Sequence, residues 1–146
     1  MATFSRNVTV DWTGSLLEGS GEAKAGTGAF SVPVTFPRRI GDPQGQTSPE
    51  ELMAAAHAVC FAMVINAATG KKGGSIEKTS VTCTVTADKS DAGIKITTSK
   101  LDLVVEGLTG IDAGAFDAHA REAEKGCPVS NALRGNVEIQ LETSVR

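Results

Sequence analysis

Two cysteines carry most of the chemistry available to this chain. Cys60 lies in the run Thr47-Ser-Pro-Glu-Glu-Leu-Met-Ala-Ala-Ala-His-Ala-Val-Cys-Phe-Ala-Met63, which opens with helix-start signals and then becomes almost wholly apolar. Cys127 lies far downstream in Gly126-Cys-Pro-Val-Ser130, at the mouth of a second helix. A thiol on a buried helix and a thiol at a helix mouth form a candidate reactive pair. Only the thiolate is a good nucleophile, and burial opposes it. Cys60 therefore reads either as a small buried hydrophobe or as a nucleophile with a supporting cation. The candidate supports are the guanidinium of Arg38 or Arg39 and the imidazole of His57, one turn before Cys60. A buried guanidinium needs a carboxylate in turn, and Glu50 and Glu51 are the nearest in sequence. A Cys127 thiolate would gain from the helix dipole and the free N–H groups; the plainer role is a weak cap in place of serine. Cys83 alternates with Val81 and Val85 and reads as packing. His57 reads as a satisfied core histidine before a base or ligand. His119 is expected to face solvent or a loop, without a role.

Other chemistries fit worse. The cysteines are scattered, with no Cys-x-x-Cys and no His-x-x-x-His pair, so a zinc site is not expected. No Gly-x-Ser-x-Gly elbow exists for a hydrolase. Lys71-Lys72-Gly73-Gly74 places its glycines after a helix, not before one, so it is no phosphate loop.

The elements that must position the thiols follow from pattern. Asn7–Trp12 alternates through Val8, Val10 and Trp12, and Phe30–Phe36 alternates through Phe30, Val32, Val34 and Phe36, as strands do. Pro33 assigns the second run to a sheet edge. Residues 19–28 read as hairpin and loop, and 41–46 as a loop. Ser48 as N-cap, Pro49 at N1 and Glu51 in a Ser-x-x-Glu capping box start a helix. From Leu52 to Ala68 that helix is apolar on nearly every face, so burial all round is expected. One small subunit is short of material to cover it, which points to a partner subunit. Ile76–Asp88 and Ile94–Val105 read as strands about an Asp91-Ala92-Gly93 turn. Ile111–Lys125 reads as a helix with the stripe Phe116, Ala120 and Ala123, and Gly126 as its stop. A short helix at Val129–Leu133 with Pro128 at N1 and a strand at Val137–Leu141 complete the chain. Strands and helices are segregated, so the class is α+β.

At 146 residues the chain is expected to form one domain, 1–146. Its net charge is −3 and no basic run exceeds two residues, so neither nucleic acid nor an anionic membrane is an expected partner. No segment is expected to serve as a span of ~20 apolar residues, and the N-terminal residues lack a signal-peptide core. Three cysteines are too few, and of the wrong parity, for a disulfide framework. A cytoplasmic protein with reduced thiols is expected.

Both cysteine motifs together resemble those of the OsmC/Ohr family of thiol-dependent peroxidases. The resemblance rests on Thr47–Leu52, the Ala54–His57 run, Val59–Met63 and Gly126–Ser130, and extends from Val8-Thr-Val-Asp-Trp-Thr-Gly14 to the last strand. It is closer to the OsmC branch. It implies an intertwined homodimer, with antiparallel sheets around two long central helices and active sites at the dimer interface. It implies that the helix cysteine is peroxidatic and the Cys-Pro cysteine resolving. An arginine before the helix and a glutamate at its start would hold the thiolate. Those roles fall on Cys60, Cys127, Arg39 (with Arg38 as alternative) and Glu50. The implied reaction reduces an organic hydroperoxide, or hydrogen peroxide, through a Cys60 sulfenate and a Cys60–Cys127 disulfide. An external dithiol or lipoyl-type reductant would reset it, with no metal or other cofactor. Val59, Phe61 and Met63 beside the thiol would favour organic substrates. The rival expectation is a non-enzymatic or redox-sensing dimeric module on the same fold.

Overall fold

The computed structural model describes the whole chain, Met1–Arg146, which divides into two compact units, Met1–Leu52 and Met53–Arg146. In the first unit, β1 (Val8–Thr13), β2 (Ser20–Ala25) and β3 (Ser31–Val34) form an antiparallel sheet in the order β1-β2-β3. Strand β2 is the returning arm of a hairpin within residues 19–28, the stretch read as hairpin and loop. Ser-Gly-Glu-Ala-Lys-Ala alternates only through the small residues Gly21, Ala23 and Ala25, which are weak strand formers; pairing on both edges makes it a strand, since strand propensity yields to context. Pro33 sits on the edge strand β3, where its missing N–H costs no ladder bond. Phe36–Ile40 folds as a short helix, α1, instead of extending the strand. Its start is local chemistry: Thr35 is the N-cap, its Oγ1 accepting the Arg38 N–H at 3.4 Å, and Pro37 occupies the first turn.

The long helix α2 spans Pro49–Lys71. Ser48 Oγ accepts the Glu51 N–H at 3.1 Å as the capping box requires, but the Glu51 carboxylate accepts from Thr47 Oγ1 at 2.8 Å, so the box is closed on one side only. Burial follows a single stripe, His57, Phe61, Ile65 and Thr69, spaced four apart. The expectation of burial all round is thus not met within one chain: Val59 is 55% and Met63 68% exposed. One sheet and its helices reach one face of a cylinder, and the rest of the apolar circumference stays open. The expectation that no segment could serve as a membrane span is also corrected on length and composition, because this 23-residue helix is long and apolar enough.

In the second unit, β4 (Lys78–Ser90) and β5 (Gly93–Glu106) form a long hairpin, with Gly93 at φ +118°, a conformation side chains resist. Its apolar positions change parity, from Ile94 and Ile96 to Leu101, Leu103 and Val105. A bulge is the cause: Thr86 pairs with Thr98 and Ala87 with Ile96, leaving Thr97 as the extra residue. After a 3₁₀ turn at Ala113–Ala115 come α3 (Phe116–Lys125) and α4 (Pro128–Leu133), then β6 (Glu138–Val145). β6 lies parallel to β5. This sheet, in the order β4-β5-β6, is therefore mixed and not purely antiparallel. The two intervening helices provide the long crossover that a parallel neighbour needs. The architecture is α+β, as expected. The core joins Phe61 and Ile65 of α2, Leu101, Leu103 and Val105 of β5, Phe116, Ala120 and Ala123 of α3, Cys127, and Leu141 of β6.

Candidate active site

Cys60 sits in mid-α2, half-buried, one turn past the fully buried His57. Cys127 is the N-cap of α4 and fully buried, and its side chain makes no capping bond. Pro128 at the first helical position and the turn bond from the Cys127 N–H to the Glu124 carbonyl at 2.9 Å fix where α3 ends and α4 begins. Gly126 ends α3 without entering the left-handed region. All three cysteines are free.

The Cys127 thiol and the Val129 N–H at the start of α4 are near enough to the Cys60 sulfur to act on its titration. Burial pushes the Cys60 thiol up; the Val129 N–H pulls it down, and the adjacent Cys127 thiol pushes it up again. The immediate surroundings thus disfavour the thiolate. A Cys60 that acts as nucleophile needs a cation in addition.

In the first unit, Arg39 and Glu50 form a fork. Arg39 Nε donates to Glu50 Oε1 and Oε2 at 3.2 and 3.1 Å, and Nη2 donates to Oε1 at 2.6 Å. The Arg39 side chain is 26% exposed and that of Glu50 15%. The Arg39 hydrogen bonds hold the Glu50 carboxyl below its ordinary value, against the opposing effect of burial. Arg38 diverges and donates to the Asp42 carbonyl at 3.2 Å. Helix α1 explains the split, since successive residues on a helix lie about 100° apart. Arg39 also lines an apolar cavity of about 270 Å³ with Val10, Trp12, Phe36 and Leu52.

His57 is a satisfied core histidine, as expected. Its Nδ1 lies 2.7 Å from Ser99 Oγ on β5 and its Nε2 2.7 Å from Ser130 Oγ on α4. Both serines are fully buried, and sequence reading missed both. Ser99 was findable, because it shares the strand parity of Leu101, Leu103 and Val105 and so faces the core. Cys83 packs against the core with its Sγ 3.3 Å from Ser99 Oγ. His119 is a correction: it is 6% exposed and its Nε2 lies 3.1 Å from Thr69 Oγ1. Three residues after Phe116, it shares the buried stripe of α3. Phe61 is fully buried in the core, so it is not available to a substrate, whereas Val59 and Met63 are exposed.

Two free, neighbouring thiols, one on a long helix and one at a short helix mouth, make a candidate thiol-redox site on this α+β fold. The chain belongs to the OsmC-like family: the family model described as OsmC-like protein matches residues 41–142. It is 34% identical over 141 residues to peroxiredoxin OsmC of Escherichia coli K12, covering 96% of this chain and 97% of the relative. It is 30% identical over 125 residues to an organic hydroperoxide resistance protein of Xanthomonas axonopodis pv. citri, covering 83% and 84%. In structure it is similar to an organic hydroperoxide resistance protein OsmC from Legionella pneumophila, with a TM-score of 0.74 and 29% identity over 99% of this chain and 100% of the other.

Proposed function

We propose that the protein is a thiol-dependent peroxidase that reduces organic hydroperoxides through Cys60 and Cys127. The observation that carries this is the pair of free, adjacent thiols, in a chain that is similar along nearly all its length to a peroxiredoxin. Cys60, as thiolate, attacks the outer oxygen of the hydroperoxide. The O–O bond breaks, the alcohol leaves as alkoxide and takes up a proton, and Cys60 becomes a sulfenic acid. The Cys127 thiolate then attacks the Cys60 sulfur. The S–S bond forms as the S–O bond breaks, and hydroxide leaves to become water with the proton Cys127 gave up. An external dithiol, of the lipoyl type or similar, restores both thiols by exchange. Sulfur carries the redox change, so the cycle calls for no metal or organic cofactor.

Arg39 supplies the cation that Cys60 lacks in its own surroundings, and Glu50 orients it. A planar, permanently charged guanidinium held by a carboxylate fork suits that task better than a mobile ammonium. The apolar cavity that Arg39 lines, together with exposed Val59 and Met63, supports organic over purely aqueous peroxides. The chain works as a single functional domain, 1–146, in a homodimer that covers the open face of α2. Three free cysteines suit the reducing cytoplasm. The test is peroxide consumption by purified protein, with an alkyl hydroperoxide and hydrogen peroxide as substrates and a dithiol or a monothiol as reductant. Multiple turnover with the alkyl hydroperoxide and the dithiol is expected. No consumption above the reductant alone would leave only the binding or sensing module.

A further inference from the structure

Helix α4 is six residues long, too short to hold itself in place. Yet it carries the thiol that must meet Cys60. Two side-chain contacts on its outer part, Asn131 Nδ2 to the Lys125 carbonyl at 3.0 Å and Arg134 Nη2 to Glu124 Oε1 at 2.7 Å, tie it back to the end of α3. The side-chain hydrogen bond that ties it to α2 is His57 Nε2 to Ser130 Oγ, 2.7 Å and fully buried. Its place is informative. Ser130 stands three residues after Cys127, and His57 three residues before Cys60, so on each helix the bonding residue and the thiol share a face. The pairing runs in opposite senses along the two chains: His57 meets Ser130, and one turn along Cys60 neighbours Cys127. The second bond of the imidazole, Nδ1 to Ser99 Oγ at 2.7 Å, satisfies its other nitrogen and makes no contact with α4. A neutral imidazole donates at one nitrogen and accepts at the other, and a serine hydroxyl can meet either need. Burial holds the ring in that neutral form.

We infer that His57 is a positioning residue for the resolving step, holding α4 through Ser130 so that the Cys127 thiol stays within reach of Cys60. The step it serves is disulfide closure, not the attack on peroxide. Closure requires the Cys127 sulfur to approach in line with the breaking S–O bond of the sulfenic acid. A loosened α4 spends less time in that geometry, and Cys60 waits longer as sulfenic acid, open to a second peroxide.

This inference rests on the proposed peroxidase cycle, and two matched variants separate it from a plain structural role. Ser130→Ala and Ser99→Ala each delete one buried hydroxyl from the same imidazole, but only the first lies on α4. Stopped-flow and rapid quench with mass analysis follow loss of the Cys60 thiol and growth of the Cys60–Cys127 disulfide separately. In Ser130→Ala, thiol loss is expected within about twofold of wild type, showing a folded site. Closure slows roughly tenfold or more, the scale of one lost buried hydrogen bond, and sulfinic acid accumulates at high peroxide. Ser99→Ala keeps the His57–Ser130 bond and closes within about twofold of wild type. Equal closure rates in wild type and Ser130→Ala, or equal slowing in both variants, would overturn the positioning role while leaving the peroxidase intact. A wild-type protein that loses the Cys60 thiol without forming this disulfide would overturn the cycle and the inference together.

Discussion

Replacing Arg39 separates a cation that serves the thiolate from a surface ion pair. Arg39 makes three donor contacts of 3.2 Å or less to one carboxylate, and the two side chains are 26% and 15% exposed. A hydrogen bond to a charged group at this degree of burial is worth about 1.5–3 kcal/mol when truncated. If the same guanidinium steadies the Cys60 thiolate as peroxide attacks, a loss of that size in the transition state slows the reaction roughly 10- to 100-fold. Arg39→Ala should show this in the second-order rate constant of Cys60 with an alkyl hydroperoxide, read by stopped flow. Arg39→Lys keeps a charge but only a single point of donation, so its loss should lie between wild type and alanine. Arg38 bonds an exposed loop carbonyl, and Arg38→Ala should stay within about twofold, as surface polar contacts do. Urea unfolding in parallel checks that Arg39→Ala costs no more than about 1.5–3 kcal/mol of stability, for a carboxylate left without its fork. An Arg38→Ala defect as large as that of Arg39→Ala would refute the reasoning, as would an Arg39→Ala rate equal to wild type.

Cys127→Ser should keep the first reduction of peroxide but lose turnover with a dithiol, and mass spectrometry should find sulfinic and sulfonic acid at Cys60; a Cys60–Cys83 disulfide would instead move the resolving role to Cys83. Met63→Asp places a carboxylate on the open apolar face of α2, where Met63 is 68% exposed in one chain. In a dimer contact it would be dry and unpaired at a cost of several kcal/mol, so sedimentation should show dissociation or unfolding, whereas an unchanged oligomer would place the contact elsewhere. Burial holds both histidines below the ordinary imidazole value, with Glu124 partly opposing this at His57 and Lys72 adding to it at His119. The unfolded chain therefore binds protons the folded chain does not as pH falls below about 6.5. Stability is full above that pH and declines through the window down to the lowered values, by up to ~1.4 kcal/mol per pH unit for each histidine. Urea midpoints at pH 7.5 and 5.5 should differ in that sense, and a higher midpoint at pH 5.5 would contradict it.

Where side-chain pattern and capping make an element, the sequence announces it: β1, the β4–β5 hairpin, the start of α2, the Phe116–Ala120–Ala123 stripe and Pro128 at the head of α4. Elements made by their neighbours were silent. β2 alternates only through glycine and alanine, and exists through pairing on both sides. The parallel placement of β6 is a property of topology and leaves no mark in Glu138–Val145. α1 carried a signal in Thr35 and Pro37, but five residues show no period, so no helix was read at Arg38 and Arg39. That hid why only Arg39 meets Glu50. The thiols themselves were legible as motifs; of the serines that bracket His57, Ser99 was legible as core-facing from its strand parity, whereas Ser130 looks like any other serine until its partner is known. The apolar circumference of α2 was legible too, and the chain itself covers its His57–Phe61–Ile65–Thr69 stripe.

The central claim is that Cys60 takes the oxygen and Cys127 closes on it. One equivalent of an alkyl hydroperoxide added to the fully reduced protein, followed by peptide mass mapping, tests it most directly. The account predicts one molecule of alcohol and one Cys60–Cys127 disulfide per chain, with Cys83 left as a thiol, and no alcohol formed by Cys60→Ser. Alcohol released by Cys60→Ser at the wild-type rate, or a wild-type product in which Cys60 remains a thiol, would contradict it.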